Sequence, residues 1–148
     1  MLAAAAAIAA ILVWDGDSLE IDGAQIRLWG VDAPELAQTC ERPDGRLWAC
    51  GAAAKAALVE MIAGQRIECQ ARGRDRYGRT VARCSAGPVR DIGAEMVRRG
   101  LAMDSTRYSG GAYAGEERAA RKARRGIWNG SFIEPWKWRR DHKRDRKG

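Results

Sequence analysis

The segment RIECQARGRDRYGRTVARC, residues 66–84, narrows the folds open to this chain because it sets two cysteines equally far from a turn. It reads as two strands around Arg76-Tyr77, and in a symmetric hairpin about that turn Cys69 and Cys84 face each other. Cross-strand partners lie about 4.5–5.5 Å apart at Cα, a separation a disulfide tolerates. Two buried free thiols are the alternative. With one bridge placed, Cys40 and Cys50 pair by elimination. No Cys-x-x-Cys occurs and the single histidine, His142, sits in a charged tail, which argues against a zinc site. Two disulfides in so small a chain place it in an oxidising compartment, secreted or periplasmic.

The rest of the chain fits one domain around that hairpin. Its 148 residues are 46% hydrophobic and 30% charged, as in a soluble globular protein. The apolar start, MLAAAAAIAAILV, is shorter than the roughly 20 residues that span a bilayer. It resembles a signal-peptide core without the preceding basic residues, so residues 1–10 are either a signal-peptide remnant or a plain extension. Residues 10–35 read as strands, with Asp22-Gly23 as a type I′ hairpin signal. Residues 36–50 form a long loop. WACGAAAKAALVEMIAG has helical spacing and closes at Gly64, DIGAEMVRRG begins with an N-capping aspartate, and AYAGEERAARKARRG places acids early and bases late. Trp128, Trp136 and Trp138 are expected to pin the last of these helices. The order suggests an α+β domain over residues 11–138, a five-stranded OB-type barrel with three packed helices. A mixed α+β sandwich is the fallback.

The formal net charge is +7, and residues 139–148, RRDHKRDRKG, account for +4 of it. This tail is expected to be disordered and dispensable for folding. The body keeps a modest bias toward polyanions.

Chemistry concentrates in DGDSLEIDGAQIRLWGVDAPE, residues 15–35. Asp-Gly-Asp is common in turns, because aspartate bonds neighbouring amides. A second acidic turn, VDAPE, has its direction fixed by Pro34. Two such turns at the ends of paired strands bring Asp15, Asp17, Asp32 and Glu35 close together. Carboxylates so close need a cation, and an all-oxygen set suits Ca²⁺ or Mg²⁺. Arg27, mid-strand, and Arg79, after the turn DRYG, carry guanidinium forks matched to phosphate oxygens. Each would serve equally as a structural ion pair. A strict two-residue turn at Asp22-Gly23 pairs Arg27 with Ser18 and sends it to the face opposite Asp17, so uniting them needs a bulge or strong curvature.

VWDGDSLEI, IRLWGVDAPE, DRYGRTVA and VRRGLA, in this order and spacing, resemble the staphylococcal nuclease (thermonuclease) family. YSGGAY, ARRGIW and PWKWR are similar to its secreted bacterial members, and the likeness spans about residues 11–139. It implies an OB-type barrel with three helices and Ca²⁺-dependent hydrolysis of DNA and RNA to 3′-phosphate ends. It further implies Ca²⁺ on Asp17, Asp32 and the Ala33 carbonyl, with Asp15 behind them. Arg27 and Arg79 would hold the phosphate, and Glu35 would activate or orient the attacking water. The best-known member has Thr at the places of Ser18 and Ala33, and a carbonyl ligand survives that exchange.

With no histidine in the body, Glu35 is the natural general base. Tyr108 and Tyr113 would flank a nucleotide by stacking or by bonds to phosphate, or else pack in the core. The expected partners are DNA and RNA, single strands preferred, acted on by a monomer with no stable membrane association. A non-catalytic OB-type nucleic-acid-binding module is the alternative. A calcium-stabilised interaction domain leaves both arginines unexplained.

Overall fold

The computed structural model describes residues 9–145, so nearly all of the expected N-terminal extension lies outside the described residues. Three strands open the fold: β1 (Ile11–Asp15), β2 (Ser18–Ile21) and β3 (Ala24–Leu28). Asp22 and Gly23 join the last two with φ of 48° and 84°, the left-handed pair a type I′ turn demands. The short β4 (Val31–Asp32) follows, then β5 (Cys40–Glu41), β6 (Leu47–Trp48) and the helix α1 (Cys50–Ile62). A long hairpin of β7 (Ile67–Arg74) and β8 (Thr80–Ala86) leads to α2 (Ile92–Arg98), β9 (Met103–Asp104), α3 (Thr106–Ser109), α4 (Ala114–Ala123) and α5 (Pro135–Asp145).

The fold is α+β. Its main sheet is mixed and five-stranded, in the order β1-β2-β3-β8-β7, with β3 and β8 parallel and the other pairs antiparallel. β1 and β7 are its edges, and no ladder joins them among the described residues. β4 pairs with β9, so Asp32 is held opposite Met103. α1 and α2 cover one face of the sheet around Leu19, Leu28, Leu58, Ile92 and Met96, all buried. Full burial of each such side chain is worth about 1.5–3 kcal/mol.

Both disulfides form as expected, Cys40–Cys50 and Cys69–Cys84. The second, however, reaches its register by a different route. The β7–β8 loop is centred on Tyr77 rather than on the Arg76–Tyr77 bond, and an extra residue, Arg72, bulges between Ala71 and Gly73. The bulge absorbs the offset and returns Cys69 to Cys84.

Two expectations are corrected. Five helices stand among the described residues where three were expected; one added helix is the single turn α3 and the other is α5. The tail expected to be disordered from residue 139 is helical to Asp145, and only residues 146–148 lie outside the described part. Pro135, which has no amide hydrogen to leave unpaired, sits at the first helical position, and the Trp138 amide donates to the Glu134 carbonyl. The segment before α5 is fastened to the disulfide loop. Ser131 and Glu41 exchange backbone hydrogen bonds, the Gln38 side-chain amide donates to the Ile133 carbonyl at 2.6 Å, and Trp128 meets Phe132 edge to face beside Cys40 and Cys50.

Candidate functional site

The Asp15-Gly16-Asp17 turn closes the β1–β2 hairpin with two internal bonds. Asp15 accepts from the Asp17 amide at 3.0 Å and from the Ser18 hydroxyl at 2.7 Å. Gly16 is required because a Cβ there would stand 2.6 Å from that of Ala54 and 2.8 Å from that of Ala33. That absence of a side chain seats the turn against α1 and the second acidic turn. Asp17 Oδ2 accordingly accepts from the Ala33 amide at 2.7 Å, tying the two turns together.

Arg27 does pair with Ser18, as the hairpin register requires. It still reaches Asp17, for a reason alternation cannot supply. The β1–β2 register shifts between Val13 and Asp15, and Asp17 falls in the turn before β2 begins. The Arg27 guanidinium lies 3.2 Å from Asp17 and 3.5 Å from Asp32 and also donates to its neighbour's carbonyl, that of Leu28. Burial pushes the Asp17 carboxyl well above the usual carboxylate range; Arg27 offsets part of this, while Asp15 and Asp32 add to it. An acid this crowded and dry is out of balance without another cation.

Glu35 stands on a turn locked from both sides. Its carbonyl accepts from the Gln38 amide and its own amide donates to the Gln38 side chain. α1 packs on this turn so closely that a Cβ at Gly51 would collide with the Glu35 carbonyl.

Another cation is present, from the stretch expected to be a dispensable tail. Arg139 of α5 binds both oxygens of Asp32, at 2.9 Å each, and Glu35 Oε1 at 2.8 Å. These hydrogen bonds, first those to Asp32, hold its guanidinium further above its ordinary range. Pro135 as a helix start, with Arg139 one turn beyond it, was the signal available in PWKWR.

Arg79 is placed apart from this cluster. Its Nε donates to Asp75 at 2.7 Å, and it lines a shallow cleft of about 280 Å³ with Trp14, Ser18, Leu19, Gln25 and Ile26. Ser18 joins the cleft to the acids through its bond to Asp15. No bond or ion pair links Arg79 to Asp17, Asp32 or Glu35 among the described residues. Tyr108 is exposed, whereas Tyr113 is only 2% exposed. The Tyr113 hydroxyl donates to Asp91, which also caps α2 and pairs with Arg83. Of the two places open to Tyr113, at a nucleotide or in the core, its burial agrees with the core.

A hard divalent cation fits the donor chemistry, since Asp17 and Asp32 are buried, all-oxygen and short of positive charge. Among the described residues no group of three or more His, Cys, Asp or Glu side chains gathers as a metal cage. The protein's share of a coordination shell would be two carboxylates and the Ala33 carbonyl, with water completing it.

Comparison with known proteins follows the same lines. A sequence model described as "Staphylococcal nuclease homologue" matches residues 25–130. The chain is 30% identical to a micrococcal nuclease of Shigella flexneri, over 90% of this chain and 80% of that one. It is 32% identical to Protein ParB of Escherichia coli, covering 95% and 92% respectively. Against the succinoglycan biosynthesis protein ExoI of Rhizobium meliloti it is 36% identical, covering 78% of this chain and 61% of that protein. Matched relatives thus differ in how much lies beyond the shared region, but the region itself is common to them. The chain belongs to the staphylococcal nuclease family.

Proposed function

We propose that this chain is a Ca²⁺-dependent endonuclease that hydrolyses DNA and RNA to 3′-phosphate products. The observation that carries the reading is the convergence of Asp17 and Asp32, from two separate turns, on the one guanidinium of Arg27. Family membership and relatives named as nucleases support phosphodiester hydrolysis as the reaction. The OB-type barrel of the family is the fold proposed for the five-stranded sheet.

Asp17, Asp32 and the Ala33 carbonyl would hold Ca²⁺, which when bound polarises a phosphoryl oxygen. Arg27 is positioned by Asp17 and Asp32 to donate to the oxygens on which charge grows. Arg79, steadied on Asp75, offers its remaining N–H groups to a phosphate entering by the Trp14 cleft. Trp14 is half exposed there and presents a ring on which a base can stack. Glu35, once free of Arg139, takes a proton from the attacking water. Two disulfides support a secreted or periplasmic setting, and no described helix is long and apolar enough to cross a membrane.

The Arg139 contacts favour the alternative, a nucleic-acid-binding module without activity, because they occupy the proposed base and one proposed ligand. Incubation with single-stranded DNA separates the two. Cleavage with Ca²⁺, lost in chelator, with ends that phosphatase treatment opens to 3′ extension, is the expected result. Undiminished cleavage in excess chelator refutes the calcium site, and binding without cleavage in Ca²⁺ establishes the module.

A further inference from the structure

We infer that α5 is an intramolecular latch, with Arg139 standing in for the metal at Asp32 and Glu35 until a divalent cation displaces it. The inference rests on the calcium reading of Asp17 and Asp32 and concerns how that same site is regulated.

Two observations carry it. Arg139 uses both oxygens of Asp32, so no lone-pair direction facing it stays open to a metal while the fork is closed. A metal ion and a guanidinium therefore compete for one carboxylate, and the metal's affinity falls by the fraction of molecules that are open. Arg139 also bonds Glu35, so one contact covers a proposed ligand and the proposed base together.

The second observation is how α5 is held. Its first residue is anchored: Pro135 is fully buried, and Gln38 and Glu41 fix the backbone just before it. Beyond that hinge, and apart from Lys137 with the adjoining Glu134, Arg139 makes all the side-chain hydrogen bonds and ion pairs between α5 and the rest of the protein among the described residues. The others are internal, as in Arg140 with Asp141 and the His142 ring on Trp138. Trp136 is 44% exposed and Lys137 and Arg140 face solvent. Releasing one side chain thus frees the helix without breaking the core.

The test measures Ca²⁺ binding by calorimetry and backbone hydrogen exchange of α5, at matched ionic strength. Arg139→Gln should bind Ca²⁺ roughly tenfold more tightly than the unaltered protein, the scale of one charge-assisted hydrogen bond no longer given up. Arg139→Lys, which keeps the charge but loses the fork, should also gain affinity. In the unaltered protein Ca²⁺ should speed exchange in residues 137–143 while leaving α1 and α2 unchanged. If Ca²⁺ binds but exchange in α5 stays the same or slows, the latch is refuted and the calcium site survives. If only Arg139→Gln gains affinity, simple charge repulsion explains it and the latch is again refuted. If neither the unaltered protein nor the variants bind Ca²⁺, the calcium reading falls and the latch with it. The exchange measurement needs no variant, so a misfolded substitution cannot shelter the idea.

Discussion

Asp17→Asn should make this protein more stable and less able to bind calcium. Asp17 is 6% exposed, 3.2 Å from Arg27, and shares its pocket with Asp15 and Asp32. An ion pair at that distance gains on the order of 5 kcal/mol at an effective dielectric constant near 20. Desolvating the carboxylate costs several kcal/mol, and repulsion from two neighbouring acids turns the balance against the charge. Counting outward, Asp15, Asp17, Asp32 and Glu35 face Arg27 and Arg139, so acids outnumber bases even with the helix in place. Asparagine keeps an oxygen to accept from the Ala33 amide, and Arg27 keeps Asp32. The net gain should be about 1 kcal/mol, which in a chain this size raises Tm by about 3–4 °C. Scanning calorimetry in chelator is the assay, repeated with Ca²⁺ at about a hundred times its dissociation constant. There the unaltered protein should gain about 2.7 kcal/mol by linkage, while the variant gains far less, and the order of stabilities reverses. A variant that loses 1 kcal/mol or more in chelator would show that Asp17 is stabilising as a charge and that the site holds no strain for a metal to relieve.

The remaining predictions concern separate parts of the molecule. Glu35→Gln should lower kcat by about 10²–10⁴-fold if Glu35 is the general base; single-turnover cleavage at near-normal rate would dismiss that role. Replacing Cys69 and Cys84 together by alanine opens a bridge of sequence separation 15 and should cost about 3 kcal/mol in the chain-entropy model. Denaturant titration reads this loss, and a cost below 1 kcal/mol would mean the β7–β8 ladder holds its register unaided. Tyr113→Phe removes one hydrogen bond to Asp91 and should cost about 1 kcal/mol with turnover intact. A loss of oligonucleotide affinity without loss of stability would return Tyr113 to the substrate.

Much of this was legible in the residues. The acidic turns, the capped α2 and both disulfides follow from local rules, because turns, caps and paired strands are decided within a few residues. The bulge at Arg72 was not legible, since its effect on the Cys69–Cys84 register is cancelled by the shifted loop. The meeting of Asp17 with Arg27 was read as a conflict, and only the irregular β1–β2 register resolves it. Tyr113 could not be sorted between core and substrate because its partner, Asp91, lies far away in the chain and was already explained as a helix cap. Arg139 was hidden for a related reason. A basic run reads as a solvated end unless something distant claims one of its members, and that claim is a tertiary fact.

The bond from Arg139 to Asp32 spans 107 positions, and the one from Gln38 to Ile133 spans 95. A nascent chain is made from its N-terminus at about 5–20 residues per second. The acidic turns, the main sheet and α1 can thus all be in place before α5 exists. During that interval the carboxylates stand together with Arg27 as their sole internal counter-charge. Whatever cation the surroundings hold is then free to settle among them first. α5 arrives afterwards and must compete for a place already taken, so newly made protein and protein refolded in chelator should begin life on opposite sides of the same equilibrium.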